Sequence, residues 1–239
     1  MHDCGHSHNG DVNNLENITD IHIYGDSFAD PHWGMSHNCN FVWTEQLAKQ
    51  YRTHNHALKG TGPEYSIHKL INTRNVSKGS VCIFVVSDPN RLHLENFWKH
   101  DQEQVHMLDV AAKRISHPGY MFVRQLYDHY LTDSTHAVRA ATAIGAVNAL
   151  SGAFDRTLIL TIAPVNLPLT LNPTVTFVNH GLLDLSEAEY SQDKGKNPYV
   201  DTRPNHFSEP NHRVMFNCLV SWIEQGIAPD VSQFQQAIV

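Results

Sequence analysis

Val81-Cys82-Ile83-Phe84-Val85-Val86 runs apolar without a break between Gly79-Ser80 and Ser87-Asp88-Pro89. A strand with one wet face alternates apolar and polar residues. A continuous run of this length, rich in β-branched residues and closed by turn formers, is a strand covered on both faces. The segment 157–163 (Thr157-Leu158-Ile159-Leu160-Thr161-Ile162-Ala163) has the same character. Shorter β-rich runs at 18–24, 53–58 and 174–178 bring the expected strands to five. Helical spacing lies between them. Phe41, Val42, Leu47, Ala48 and Tyr51 share one face of a helix over 41–51, and Pro63 opens a helix over 63–73. Further helices are expected over 101–115, 120–130, 134–154 and 208–225, the second preceded by Pro118-Gly119 and the last stopped by Gly226. Residues 88–101 and 184–200 read as loops. Strands apolar on both faces, alternating with helices, form a mostly parallel sheet with helices on each side. The expected fold class is therefore α/β: a flavodoxin-like, three-layer α/β/α arrangement around a five-stranded sheet. Ligands of such sheets bind beyond the carboxyl ends of the strands.

The chain has 239 residues, the size of one domain. We divide it into a polar amino-terminal tail, 1–19, and a domain, 20–239. Hydrophobic residues make up 41% and charged residues 17%, which excludes a disordered polyampholyte and a coiled coil. The formal net charge is −7. That balance argues against a nucleic-acid face and against a polybasic membrane anchor. No apolar run approaches the ~20 residues of a spanning helix, and the polar start lacks the apolar core of a signal peptide. The default expectation is cytoplasmic. Cys4, Cys39, Cys82 and Cys218 are scattered, with no CxxC pair, so neither a disulfide framework nor a zinc ribbon is expected. The 18 His are mostly isolated. His2, Cys4, His6 and His8 in the tail offer soft-metal ligands, but a flexible terminus with adventitious affinity explains them as well.

Three segments carry candidate chemistry. Gly25-Asp26-Ser27-Phe28 puts a serine one step beyond the first strand, where a helix start and backbone N–H groups stabilise negative charge. Taken alone, it also reads as an ordinary strand-to-helix turn. Asn55-His56-Ala57-Leu58-Lys59-Gly60 follows the second strand, and its glycine lets a backbone N–H approach a ligand unobstructed. A simple turn is the plainer alternative there. His206-Phe207-Ser208-Glu209-Pro210-Asn211-His212 runs into the last helix. It can bring an imidazole base to the serine, although Ser208 and Glu209 also suit plain helix capping.

In this order, the three segments resemble the motifs of the SGNH (GDSL-type) hydrolase family, and the resemblance spans nearly the whole chain after the tail. Gly25-Asp26-Ser27-Phe28 is similar to its nucleophile motif. Asn55-x-Ala57-x-x-Gly60 is similar to its second motif, whose glycine N–H helps form the oxyanion hole. His206-Phe207-Ser208-x-x-Asn211-His212 is similar to its last motif, whose first His is the base. The resemblance implies ester hydrolysis through an acyl-serine, with no cofactor and no metal. Ser27 is then the nucleophile, His206 the base, and the N–H groups of Ser27 and Gly60 the oxyanion donors.

Two positions depart from that pattern. The family carries an acid three residues before its catalytic His, where this chain has Arg203; Asp201, five residues before His206, is the candidate for orienting it. The family's Gly-x-Asn-Asp after the third strand is replaced by Ser87-Asp88-Pro89-Asn90. Asn90 could supply the third oxyanion donor through a shifted backbone. Asp88 could occupy the place, but an ionised carboxylate donates no hydrogen bond.

Asp26, Asp88 and Trp98 are the candidate substrate-binding residues. Phe97, His93, Pro31, His32 and Trp33 also belong to segments that frame the expected pocket. No stripe marks a long lipid tunnel, so a short acyl group, such as acetyl on a carbohydrate, is the preferred substrate. The expected partner is a small-molecule or carbohydrate ester, with no nucleic acid and no membrane, and the oligomeric state is open. Two other classes compete. The fold could bind a ligand without turning it over, or the pairs His6/His8 and His54/His56 could serve a metal-dependent enzyme. Intact Ser27 and His206 count against the first, and the lack of a carboxylate partner counts against the second.

Overall fold

A computed structural model describes residues 18, 20–31, 40–93, 104–106, 120–166, 168–182 and 207–234. Five strands form one sheet: β1 (Asp20–Tyr24), β2 (Arg52–Asn55), β3 (Ser80–Val86), β6 (Arg156–Thr161) and β7 (Val175–Gly181). Their order is β2-β1-β3-β6-β7, and every neighbouring pair is parallel. The expected flavodoxin-like sheet is thus present. The chain reverses its direction across the sheet between β1 and β3, which puts a crevice at their carboxyl ends.

The helices are α1 (Trp43–Gln50), α2 (Pro63–Asn72), α3 (Tyr120–His129), α4 (Asp133–Leu150) and α5 (Glu209–Gln225). The two faces of the sheet explain the layers. Side chains alternate along β1 and β3, and both sets are apolar. Ile21, Ile23, Val81, Ile83 and Val85 pack with Trp43 and Leu47 of α1 and with Leu219, Trp222 and Ile223 of α5. Tyr24, Cys82, Phe84 and Val86 pack with Leu70 of α2 and with Ala140, Ala143, Ile144 and Val147 of α4. All seven residues of β3 are buried, as the unbroken apolar run requires. Each fully buried Ile or Leu contributes about 1.5–3 kcal/mol.

Local signals set the helix ends. The Ser208 side chain caps α5 by accepting the Asn211 N–H, and Gly226 closes that helix in the left-handed conformation at φ 73°. Thr132 caps α4 in the same way, and the expected continuation to Phe154 becomes a 3₁₀ turn at Ser151–Ala153. The second strand stops at Asn55, short of the expected Leu58. There the Asn55 side chain accepts the Ala57 N–H at 2.9 Å and turns the chain out of the sheet.

One expectation is corrected. Within the helix expected over 101–115, residues Gln104–His106 form a strand, β5. It pairs antiparallel with β4 (Arg91–His93), which lies in a segment expected to be a loop. Cross-strand pairing overrides local helical spacing in so short a piece. Of the expected tail 1–19, residues 1–17 and 19 lie outside the described residues, while Ile18 packs against the core and so belongs with the domain. Cys82 and Cys218 are buried free thiols, the former pushed well above the ordinary thiol range by burial. Among the described residues, no helix is long and apolar enough to cross a membrane.

Candidate active site

Gly25 makes the turn after β1 possible. A Cβ there would sit 2.8 Å from the Val85 Cβ on β3, and the residue holds φ at +154°. With no side chain at Gly25, the chain swings over the sheet edge, and Asp26 accepts the N–H groups of Ala29 and Asp30, each at 2.9 Å. That tight turn lifts Ser27 to the carboxyl end of β1.

Asp26 itself is wholly buried. One carboxylate oxygen accepts the Phe28 N–H at 3.1 Å, and the other meets Arg91 Nη1 at 2.9 Å. Burial pushes its pKa up, opposed mainly by the Arg91 guanidinium. Expected near the substrate, Asp26 instead anchors the turn from below, because both of its oxygens are spent inside the protein. Trp43 adds a second tether by donating its indole N–H to the Phe28 carbonyl at 2.9 Å.

The segment after β2 is bonded onto this turn. Leu58 N–H donates to the Gly25 carbonyl at 3.2 Å, and Lys59 N–H donates to Asp30 Oδ2 at 2.9 Å. Asn55 donates its amide to the Ala29 carbonyl at 2.9 Å. Gly60 follows in the left-handed conformation at φ +79°, with open space where a Cβ would stand. Among the described residues, the N–H groups of Ser27 and Gly60 make no hydrogen bond. The Ser27 hydroxyl is buried and has no hydrogen-bond partner among them either. A hydroxyl and backbone donors left unspent at a sheet edge are able to act on a bound carbonyl.

The end of β3 supplies the third wall. Asp88 Oδ1 accepts both the Asn90 N–H, at 2.8 Å, and the Asn90 side-chain amide, at 2.9 Å. The Asn90 carbonyl accepts the Tyr127 hydroxyl proton at 2.7 Å. Asn90 and Asp88 therefore hold each other in a closed turn, and Asn90 commits an amide hydrogen to Asp88. Ser87 is buried beside them, with its hydroxyl unpartnered among the described residues. Arg139 braces the turn from α4: it forms a double hydrogen bond with Glu64, donates to the Arg91 carbonyl at 2.7 Å, and donates to the Pro89 carbonyl.

Asp201, His206 and Trp98 lie outside the described residues, as do His32, Trp33 and Phe97. Phe207 is described. It is buried, packs edge-on against Phe28 with ring centroids 5.3 Å apart, and packs against His212 at 5.7 Å. Sequence reasoning missed Arg91, Asp30 and Arg139. Arg91 stands 65 residues from Asp26, and no local pattern announces such a pair. Asp30, one turn after Asp26, was the one residue with a local signal.

The His54/His56 pair lies against β1, beside His22 and Tyr24. Its rings stack with His22, and among the described residues no group of three or more His, Cys, Asp or Glu is arranged to hold a metal. No family model matches the chain, and no curated protein matches it.

Proposed function

We propose that this chain is a serine esterase of the SGNH (GDSL) type. The observation that carries the reading is the bonding of the 55–60 segment onto the Ser27 turn, with the Ser27 and Gly60 N–H groups and the Ser27 hydroxyl left uncommitted among the described residues. In this mechanism His206 takes the Ser27 proton as Oγ attacks the ester carbonyl carbon. The carbonyl π electrons move onto oxygen, and the Ser27 and Gly60 N–H groups hold that oxyanion. Collapse breaks the ester C–O bond, and His206 returns the proton to the leaving alcohol. Water, deprotonated by His206, then attacks the acyl-serine and releases the acid, restoring the Ser27 hydroxyl. Asp201 orients His206. The proposed substrate is a short acyl ester, with acetyl on a carbohydrate preferred.

The test is p-nitrophenyl acetate hydrolysis by wild type, Ser27→Ala, His206→Ala and Asp201→Ala. Loss of at least about 10³-fold in turnover is expected for the first two. Undiminished hydrolysis by Ser27→Ala would overturn the mechanism. The competing reading is a ligand-binding module on the same fold. It is favoured by the Asp88–Asn90 turn, which engages the amide best placed to be the third oxyanion donor. A serine-directed phosphonate separates the two readings: covalent labelling of Ser27 supports the esterase, and its absence in the folded protein supports the binder.

A further inference from the structure

A cleft of about 560 Å³ opens beside the sheet's edge strand, between β2 and the carboxyl end of α2. His22, His54 and His56 line it, together with Arg52, Lys69 and Arg74. We propose that this cleft is a binding site for a phosphate monoester, held by Lys69 and Arg74 at the wall and by the imidazoles of His22 and His56 at the floor.

Register explains the floor. His22 on β1 lies opposite His54 on β2, and His56 follows two residues on, so all three rings rise from one face of the sheet edge. His22 stacks on His54 at 4.7 Å and on His56 at 5.8 Å, with interplanar angles of 19° and 11°. Near-parallel rings set their nitrogens side by side. A metal instead requires lone pairs converging on one point at about 2.0–2.1 Å. Side-by-side nitrogens, with the adjacent cations, suit a ligand with several oxygens.

Charge points the same way. Asp20 is the carboxylate of the cleft, and it is already engaged: it meets Arg52 Nε at 3.1 Å and His54 Nε2 at 3.0 Å, and it accepts the Ser77 hydroxyl. Among the described residues, Lys69 and Arg74 have no carboxylate partner; Lys69 lies over the Tyr65 ring at 5.2 Å. The carboxyl end of α2 carries only a partial negative charge, against these two full positive ones.

The floor also has unpartnered imidazole nitrogens. His22 is 5% exposed, and its Nδ1 has no partner among the described residues; nor does the buried Nε2 of His56. A buried nitrogen without a partner is costly unless a ligand completes it. The His22 imidazole is held down to about 4, first by burial and then by His54 and His56, against the opposing pull of Asp20. A tetrahedral dianion would supply that charge and accept from several directions. The volume lies within the range of small-ligand pockets and leaves room for more than the phosphate group alone.

The experiment uses the full chain, with its His ring carbons followed by NMR while inorganic phosphate, and separately phenyl phosphate, is added at constant ionic strength. Saturable shifts at His22 and His56 with both ligands are expected, and binding about tenfold weaker in Lys69→Ala and in Arg74→Ala. Arg74 is exposed and Lys69 half-buried, and folding of both variants is checked by their unchanged spectra elsewhere. Three results would overturn the site: no saturable shift, binding unchanged in the Lys69→Ala/Arg74→Ala double variant, or binding of inorganic phosphate with exclusion of phenyl phosphate.

Discussion

Phe207 meets Phe28 edge to face, with centroids 5.3 Å apart and planes at 79°. The residue after the proposed base thus packs against the residue after the proposed nucleophile. Geometry of this kind is worth about 0.5–1.5 kcal/mol beyond the buried area alone. Phe207→Ala is expected to destabilise the fold by about 3–5 kcal/mol. In the fraction still folded it should lower p-nitrophenyl acetate turnover more than it raises the Michaelis constant, because His206 loses its neighbour's anchor. Urea unfolding and steady-state kinetics measure the two effects, and a variant of wild-type stability would show that the contact holds nothing.

The Asp26–Arg91 pair tests how the turn of the proposed nucleophile is held. Arg91→Met leaves a buried carboxylate without its guanidinium and is expected to cost about 3–5 kcal/mol in denaturant unfolding. Adding Asp26→Asn removes the charge while keeping an oxygen for the Phe28 N–H. The double variant should recover much of that loss, giving a coupling energy well above zero in the cycle. Additive single effects would mean that the pair is not a unit.

Asn90 decides whether the proposed oxyanion hole has three donors or two. Its side-chain amide is bonded to Asp88 at 2.9 Å. Asn90→Ala is therefore expected to reduce turnover by less than about tenfold, against the 10²–10³-fold loss typical of a removed oxyanion donor. A loss in the larger range would show that the amide leaves Asp88 and turns to the substrate.

The histidine stack gives the fold an acid-sensitive seam. Burial first, then His54 and His56 and to a lesser degree Arg52, hold the His22 imidazole down from 6.5 to about 4, against the opposing pull of Asp20. The unfolded chain therefore binds a proton at this ring from about pH 6.5 downward, and the folded chain only near pH 4. Between those values the unfolded state holds more protons, so stability falls as the pH drops through that window. Above it, His22 contributes no pH dependence. The expected loss from pH 6.5 to 4 is on the order of 2 kcal/mol, allowing for water in the cleft. His22→Phe should flatten that part of the stability profile in urea melts taken across the pH range; an unchanged slope would assign it to other groups.

Much of the architecture was legible in the sequence because burial on both faces leaves a local mark. The run from Val81 to Val86 has no polar residue, and β3 is buried along its whole length. The Gly25-Asp26-Ser27 turn was legible too, from a Gly-Asp pair directly after an apolar β-rich run, and the structure adds that a Cβ at Gly25 would meet the Val85 Cβ at 2.8 Å. Tertiary structure alone decided the rest. The Gln104–His106 strand exists because Arg91–His93 pairs with it, and three residues carry too little period to announce a strand. Asp26 looked like a residue for the substrate until Arg91, 65 residues away, claimed its carboxylate. The sequence shows His54 and His56 as a pair with chelating spacing, but their stacking with His22 follows only from the parallel register of β1 and β2. Hydrophobic periodicity reports what a segment does with its own faces. Charge pairs and ring stacks between segments have no period, so only the folded chain brings them together.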